Sequence, residues 1–184
     1  PSCGAEGPDQ AKTPLHMWEV PQRAWQRIHI DFAGPFMGWY YLVLVDAKTK
    51  WPEVKMMKSI TTAQTIRKLQ EQFATHGIPE QIVSDNGTQF TSEEFASFCK
   101  DNNILHSLTP PYHPRSNGEA ERFVRTLKEA LKKSQTSVGF LQQAIWEFLL
   151  QYRATPHPAT GKSPAEMMLG RPVRTTLALK WQHH

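Results

Sequence analysis

Cysteine is scarce in this chain. There are two in 184 residues, Cys3 and Cys99, 96 positions apart and without CxxC spacing. That pattern excludes a disulfide-stapled scaffold and points to a reducing compartment. Long hydrophobic runs are missing as well. The longest, Tyr40 to Val45, is far short of a membrane span, and no signal peptide opens the sequence, so no membrane partner is expected. There is no internal repeat and no low-complexity tract, which sets aside solenoids and compositionally biased segments. Charge of one sign is in only modest excess: the formal net charge is +4 and the pI about 9.1. That leans toward an anionic partner, although many soluble enzymes share it. The length suits one domain of ordinary size with a real core.

Three segments in the first third read as strands. Arg27 to Phe32 alternates Ile28 and Ile30 against His29 and Asp31, and Gly34-Pro35 is expected to end it. Tyr40 to Asp46 is almost continuously apolar, which suits a strand covered on both faces. Trp51 to Met57 follows a turn at Asp46 to Lys50, so the three make an antiparallel meander. The pattern then changes. Thr61 or Thr62 caps a helix to about His76, stopped by Gly77-Ile78-Pro79. Gln81 to Ser84 is a short buried strand, with a turn at Asp85-Asn86-Gly87. A helix runs from Ser92 to about Asn102, a strand from Ile104 to Leu108, a helix from Phe140 to Arg153, and a last short helix from Pro164 to Leu169 behind its cap Ser163. The sum is an α/β layer fold, a mixed sheet with helices on its faces. Residues 1–20 form a lead-in, 21–175 the folded core and 176–184 a tail.

One stretch organises the rest, His113 to Lys133. Pro110, Pro111 and Pro114 forbid a helix before Arg115, while Ser116 and Glu119 have capping-box spacing. A helix from there puts Ala120, Val124, Leu127 and Leu131 on one apolar stripe. At about 100° per residue, Glu121, Arg125, Lys128 and Lys132 fall on a second stripe roughly 60° wide. One acid followed by three cations on one line suits a carboxylate held beside a polyanion. Arg122 faces away from that stripe and reads as structural.

Three acids stand out by position: Asp31 inside the first strand, Asp85 at the end of the fourth, and Glu121 on the organising helix. Strand ends and a flanking helix can converge on one crevice. Carboxylates gathered without cations repel, and oxygen-only ligation suits Mg²⁺ or Mn²⁺. Two such ions about 3.5–4 Å apart can clamp both the attacking and the leaving oxygen of a phosphodiester. Asp85 could instead merely start an Asx turn with Asn86-Gly87. Glu119 competes with Glu121 for the third place, but its capping position leaves the ligand role to Glu121. Asp46 and Glu53 read as ordinary turn and strand-face acids.

Ile-His-Ile-Asp-Phe-Ala-Gly-Pro at 28–35, Val-Ser-Asp-Asn-Gly-Thr-Gln-Phe at 83–90 and Pro-Tyr-His-Pro-Arg-Ser-Asn-Gly-Glu-Ala-Glu-Arg at 111–122 resemble the catalytic core of retroviral-type integrases. The interval from 86 to 120 is 35 residues, the spacing that marks that family's acidic triad. The likeness is closest to integrases of gypsy-type LTR retrotransposons. It extends through Tyr-Arg-Ala-Thr-Pro-His at 152–157, Thr-Gly-Lys-Ser-Pro-Ala-Glu at 160–166 and Leu-Gly-Arg-Pro-Val-Arg at 169–174, covering roughly residues 18 to 175.

The resemblance implies an RNase H-like fold with a five-stranded sheet. It implies two Mg²⁺ or Mn²⁺ ions held by Asp31, Asp85 and Glu121, with Asp31 bridging both. The reaction implied is metal-dependent 3′-end processing followed by strand transfer of retroelement DNA into target DNA, which places the protein in the nucleus. Tyr112, Arg115 and Asn117 in the proline-bounded loop, Thr88, and the stripe Arg125, Lys128 and Lys132 are the expected DNA contacts. A homodimer or higher assembly is expected through the helix Phe140 to Arg153, whose apolar residues spread around most of its circumference. The integrases of this family also carry an N-terminal zinc module and a C-terminal DNA-binding module; Cys3 could be a remnant of the former, without partners nearby to bind zinc. Two rival readings stay open: an RNase H-like nuclease, and a domesticated core kept as a non-catalytic DNA-binding or association module.

Overall fold

In the computed structural model, residues 19–109, 118–134 and 137–176 are described. Three antiparallel strands, β1 (Arg27–Phe36), β2 (Trp39–Asp46) and β3 (Pro52–Met57), form the expected meander. β1 also pairs in parallel with β4 (Gln81–Ser84), and β4 with β5 (Leu105–Leu108). The result is a five-stranded mixed sheet in the order β3-β2-β1-β4-β5. The helices are α1 (Thr62–His76), α2 (Thr88–Thr91), α3 (Glu93–Asp101), α4 (Gly118–Ser134), α5 (Leu141–Ala154) and α6 (Pro164–Leu169). Among the described residues, no helix is long and apolar enough to cross a membrane.

The period-2 alternation of β1 divides the core in two. Ile28 and Ile30 join Leu42, Leu44 and Ile82 on one face of the sheet, where Leu69 and Phe73 of α1 and Phe95 and Phe98 of α3 cover them. Ala33, Tyr41, Val43, Val45 and Val54 face the other way and meet Phe123, Val124, Leu127 and Leu131 of α4 and Leu141, Ile145 and Leu149 of α5. β2 is therefore buried on both sides, as its unbroken apolar run requires. Each fully buried Leu or Ile here contributes about 1.5–3 kcal/mol. Cys99 lies in the first of these clusters, its thiol pushed up to about 11 by burial, so it packs as a small inert hydrophobe. Cys3 lies outside the described residues, as do nearly all of the expected lead-in and tail.

Several boundaries differ from expectation, each for a local reason. β1 does not stop at Gly34-Pro35 but continues to Phe36 through an irregularity in its pairing with β2. Gly34 makes this possible: at φ 105° a Cβ would lie 2.8 Å from the Trp39 carbonyl oxygen. α2 is a single turn where only the Asp85–Gly87 turn was expected. Its cause is tertiary, since Phe90 is buried and stacks on Phe32 with centroids 5.5 Å apart. α5 begins at Leu141 after a 3₁₀ turn over Val138–Phe140. Thr61, Ser92 and Ser163 cap α1, α3 and α6, the last with a complete capping box to Glu166.

Asp46 and Glu53 hold more than a turn and a strand face. Asp46 is fully buried and accepts from the Trp25 amide and from both the amide and the hydroxyl of Thr49, which closes the β2–β3 turn. Glu53 accepts from Arg153 at 2.9 Å, His76 at 2.8 Å and the Trp51 indole at 2.9 Å. Burial raises the affinity of Glu53 for a proton, but those three donors outweigh it and hold its pKa below the usual range. The network ties the end of α5 to β3 and to the end of α1.

Candidate active site

Asp31 stands on β1 opposite Val43 of β2, on the sheet face that α4 covers. β1 and β4 run parallel with His29 level with Val83. Two residues further on, Asp31 and Asp85 lie at the same end of this pair, where β4 ends, and the charge of Asp85 reaches Asp31. α4 crosses this edge with its first turn, which brings Glu121 toward both. Two of the acids, Asp31 and Glu121, are shifted in this setting. Burial pushes the Asp31 carboxyl up to about 6; its bond from the Phe32 amide at 2.8 Å pulls it back, Asp85 and Glu121 push it further up, and Lys128 pulls it down. Glu121 is also raised, by burial and then by Asp85, against the pull of Arg125.

Asp85 is exposed, and its Oδ1 accepts the Gly87 amide at 2.9 Å, so the Asx turn does form. The turn and a ligand role are compatible, because Oδ2 stays free of that bond. As the side chains stand, no three His, Cys, Asp or Glu residues among the described residues are grouped closely enough to hold one ion. The donor set itself suits a hard dication: oxygen ligands only, two of the three raised in pKa by burial first and by their acidic neighbours second.

The cationic stripe forms as expected. Arg125, Lys128 and Lys132 are exposed on α4 in line with Glu121, and none makes an ion pair among the described residues. Thr88 is exposed at the start of α2, three residues beyond Asp85. Tyr112, Arg115 and Asn117 lie outside the described residues, as does Ser116 of the expected capping box.

Glu119 does something the sequence did not announce. Its Oε1 accepts from Lys50 Nζ at 2.6 Å, and Lys50 also donates to the Ala47 carbonyl at 2.7 Å. This fastens the first turn of α4 to the β2–β3 turn, 69 residues away in sequence. Behind it, the buried Arg27 donates from Nε to His29 Nε2 at 3.2 Å. That same nitrogen lies 3.9 Å from a Glu119 carboxylate oxygen. No periodicity could have found Lys50, because its role comes from a turn residue at φ 66° reaching across to another element.

A family model described as the integrase core domain matches residues 21–114, just over half of the chain. The chain is 53% identical over 167 residues to the uncharacterized protein K02A2.6 of Caenorhabditis elegans, covering 90% of this chain and 13% of that protein. It is 35% identical over 166 residues to the Gag-Pol polyprotein of Walleye dermal sarcoma virus, covering 85% of this chain and 9% of that one. Among solved structures, the HTLV-2 integrase catalytic core domain in complex with magnesium (dimeric form) superposes with a TM-score of 0.65 at 24% identity, over 80% of this chain and 98% of that one. The simian T-cell lymphotropic virus intasome in complex with PP2A regulatory subunit B56 gamma gives a TM-score of 0.71 at 22% identity, over 85% and 58% of the two chains. The fold is thus the RNase H-like fold of retroviral integrase cores, and the chain belongs to the integrase core domain family. It spans about a tenth of the length of the curated relatives named above.

The raised pKa of Asp31 has a thermodynamic consequence. Below its ordinary value of 3.8 the carboxyl is neutral in both folded and unfolded chains and costs nothing. As pH rises through the window up to about 6, the unfolded chain releases its proton first and the folded state loses stability; above it the full cost is present. Asp31→Asn, studied in chelator, is expected to stabilise the fold at pH 8 by about 2–3 kcal/mol, at roughly 1.36 kcal/mol per pH unit. The gain should vanish near pH 3.5. Urea unfolding of both proteins across this range checks it, and a variant no more stable than the parent at pH 8 contradicts the electrostatic account.

Proposed function

We propose that this chain is the polynucleotidyl-transferase core of a retroelement integrase, carrying out divalent-metal-dependent 3′-end processing and strand transfer of element DNA into target DNA. The observation that carries the reading is that Asp31, Asp85 and Glu121 lie within electrostatic reach of one another where β4 ends, beside a line of cations on the same helix that make no ion pair among the described residues. The kinship with retroviral polyproteins and the magnesium named with the HTLV-2 core support it. Asp31, Asp85 and Glu121 would hold one or two Mg²⁺ or Mn²⁺ ions, which when bound activate the attacking oxygen and offset charge on the phosphate. Asp31, central among the acids, must release its proton to serve as a ligand. Arg125, Lys128 and Lys132 would follow a phosphate backbone past the acids, and Thr88 would meet a strand beside Asp85. Tyr112, Arg115 and Asn117 are proposed to join them from the segment before α4. Chromosomal DNA as the target implies the nucleus.

In a strand-transfer assay, Asp31→Asn and Glu121→Gln are expected to lower activity by about a thousandfold or more, as loss of a metal clamp should. Mn²⁺ should raise the melting temperature of the parent chain and not of Asp31→Asn. Retention of activity by a folded Asp31→Asn protein would sink the assignment.

Lys128→Glu should weaken DNA binding across all sequences and reduce the slope of log affinity against log salt by about 1 or more. An unchanged slope in fluorescence anisotropy means the stripe is only a solvated face.

Self-association follows from α5. Leu141, Ile145 and Leu149 are buried, while Phe140, Trp146 and Leu150 are 64%, 63% and 39% exposed. α6 packs on α5 without covering these. Such a patch, with the aromatic types favoured at interfaces, suits a second copy of the chain. Sedimentation at micromolar concentration should show a dimer, and Trp146→Glu should return it to monomer; a monomeric parent chain defeats the proposal.

A further inference from the structure

The face of α4 turned away from the acids closes a cavity of about 510 Å³ against the end of α5 and the loop after it. Glu119, Arg122, Phe123 and Thr126 recur at i, i+3, i+4 and i+7, one helix face, and all four line it. The opposite wall comes from Tyr152 and His157, both within a sequence motif for which the catalytic reading has no use.

The walls are chemically lopsided. Val45, Phe123, Pro158 and the Tyr152 ring supply apolar surface, with Phe123 and Tyr152 meeting edge to face at 5.0 Å. The polar groups that remain are donors. His157 Nδ1 accepts the Ala159 amide at 3.0 Å, which leaves the ring proton on Nε2. Burial, and then the charges of Lys50 and Arg122, hold the imidazole below its usual pKa and so neutral at pH 7. Neither the Nε2–H, the Tyr152 hydroxyl nor the Arg122 guanidinium has a partner among the described residues. The single carboxylate, Glu119, is already matched by Lys50 at 2.6 Å. The cavity therefore offers three unused donors and one uncompensated positive charge above an apolar floor.

We infer that this cavity is a binding site for a small aromatic carboxylate, its anionic head between Arg122, Tyr152 and His157 and its ring on Phe123 and Pro158. The volume lies within the ordinary range for small-molecule sites, and mostly apolar walls with a few convergent polar groups are what such sites have. A bare anion would leave the apolar floor wet, and an uncharged aromatic would leave Arg122 unanswered. Nothing in this inference depends on the metal or on DNA, and binding can be read without activity.

The test uses the whole isotope-labelled chain with 1-naphthoate as probe, 1-naphthamide as its uncharged counterpart and inorganic phosphate as the bare anion. Naphthoate should shift the His157 side-chain nitrogens and the Phe123 and Tyr152 rings in a saturable way. Naphthamide and phosphate should each bind about tenfold or more weakly, since each forgoes either the charge-assisted bonds or the apolar contact. Arg122 is exposed, so Arg122→Gln should fold normally and weaken naphthoate about tenfold, while Tyr152→Phe keeps the ring packing and should weaken it about threefold to tenfold. Equal binding of naphthamide, equal binding of phosphate, or no loss in Arg122→Gln overturns the inference, as does the absence of saturable shifts at His157.

Discussion

The seat of α4 on the second face of the sheet is the contact on which the rest of this molecule depends. Ala120, fully buried, stands one residue before Glu121, and a methyl group there lets the helix come close to the strands. Phe123, Val124, Leu127 and Leu131 then fill the space against Tyr41, Val43 and Val45. Hydrophobic burial is strong but indifferent to sliding by a fraction of a turn. The Lys50–Glu119 ion pair is directional, and it pins the first turn of α4 to the β2–β3 turn. That turn is itself held by the buried Asp46 and its three hydrogen bonds. A chain of fixed polar contacts thus runs from the core edge to Glu119, two residues before Glu121.

This fixing is needed because the site works against the fold. Asp31 is drawn into a poorly solvated place and surrounded by two further carboxylates, and its raised pKa measures what the folded state gives up. Arg125 and Lys128 relieve some of that charge from the solvent side, which is all that exposed cations can do. Stability elsewhere offsets the rest. The Glu53 network shows the opposite arrangement: one acid with three donors, its charge held by Arg153, His76 and Trp51. The same residue type is stabilising in one setting and costly in the other, and the number of donors per carboxylate decides which.

How much of this was legible in the sequence follows from the range of the forces involved. The three-strand meander and the apolar stripe of α4 were readable, because Ile28 and Ile30 against His29 and Asp31, or Ala120 through Leu131, repeat with periods set by the backbone alone. The three acids were picked out by their positions and by motif spacing. The single turn of α2 was not, since four residues carry no period and Phe90 alone fixes it. The continuation of β1 past Pro35 was hidden for a like reason, as it needs the fit of Gly34 under the Trp39 carbonyl. The bond from Lys50 to Glu119 was not readable either, because local spacing offers only partners within a turn while Lys50 lies on another element. Long-range polar pairs leave no periodic trace, and they are where the reading and the structure parted.

α4 resolves these demands by angle. One third of its circumference, from Phe123 to Leu131, is core. A second, from Glu121 to Lys132, carries an acid and three cations in line. The third, with Glu119, Arg122 and Thr126, faces the donor-lined cavity. At about 100° per residue, neighbouring positions in sequence necessarily serve different faces. Glu119 and Glu121 are two residues apart yet point to opposite sides, one neutralised by Lys50 and the other raised by burial and then by Asp85. Because the helix is one rigid body, a displacement felt at Glu119 is felt at Glu121 as well. The ion pair that positions the acid is therefore also the wall that separates it from the cavity behind.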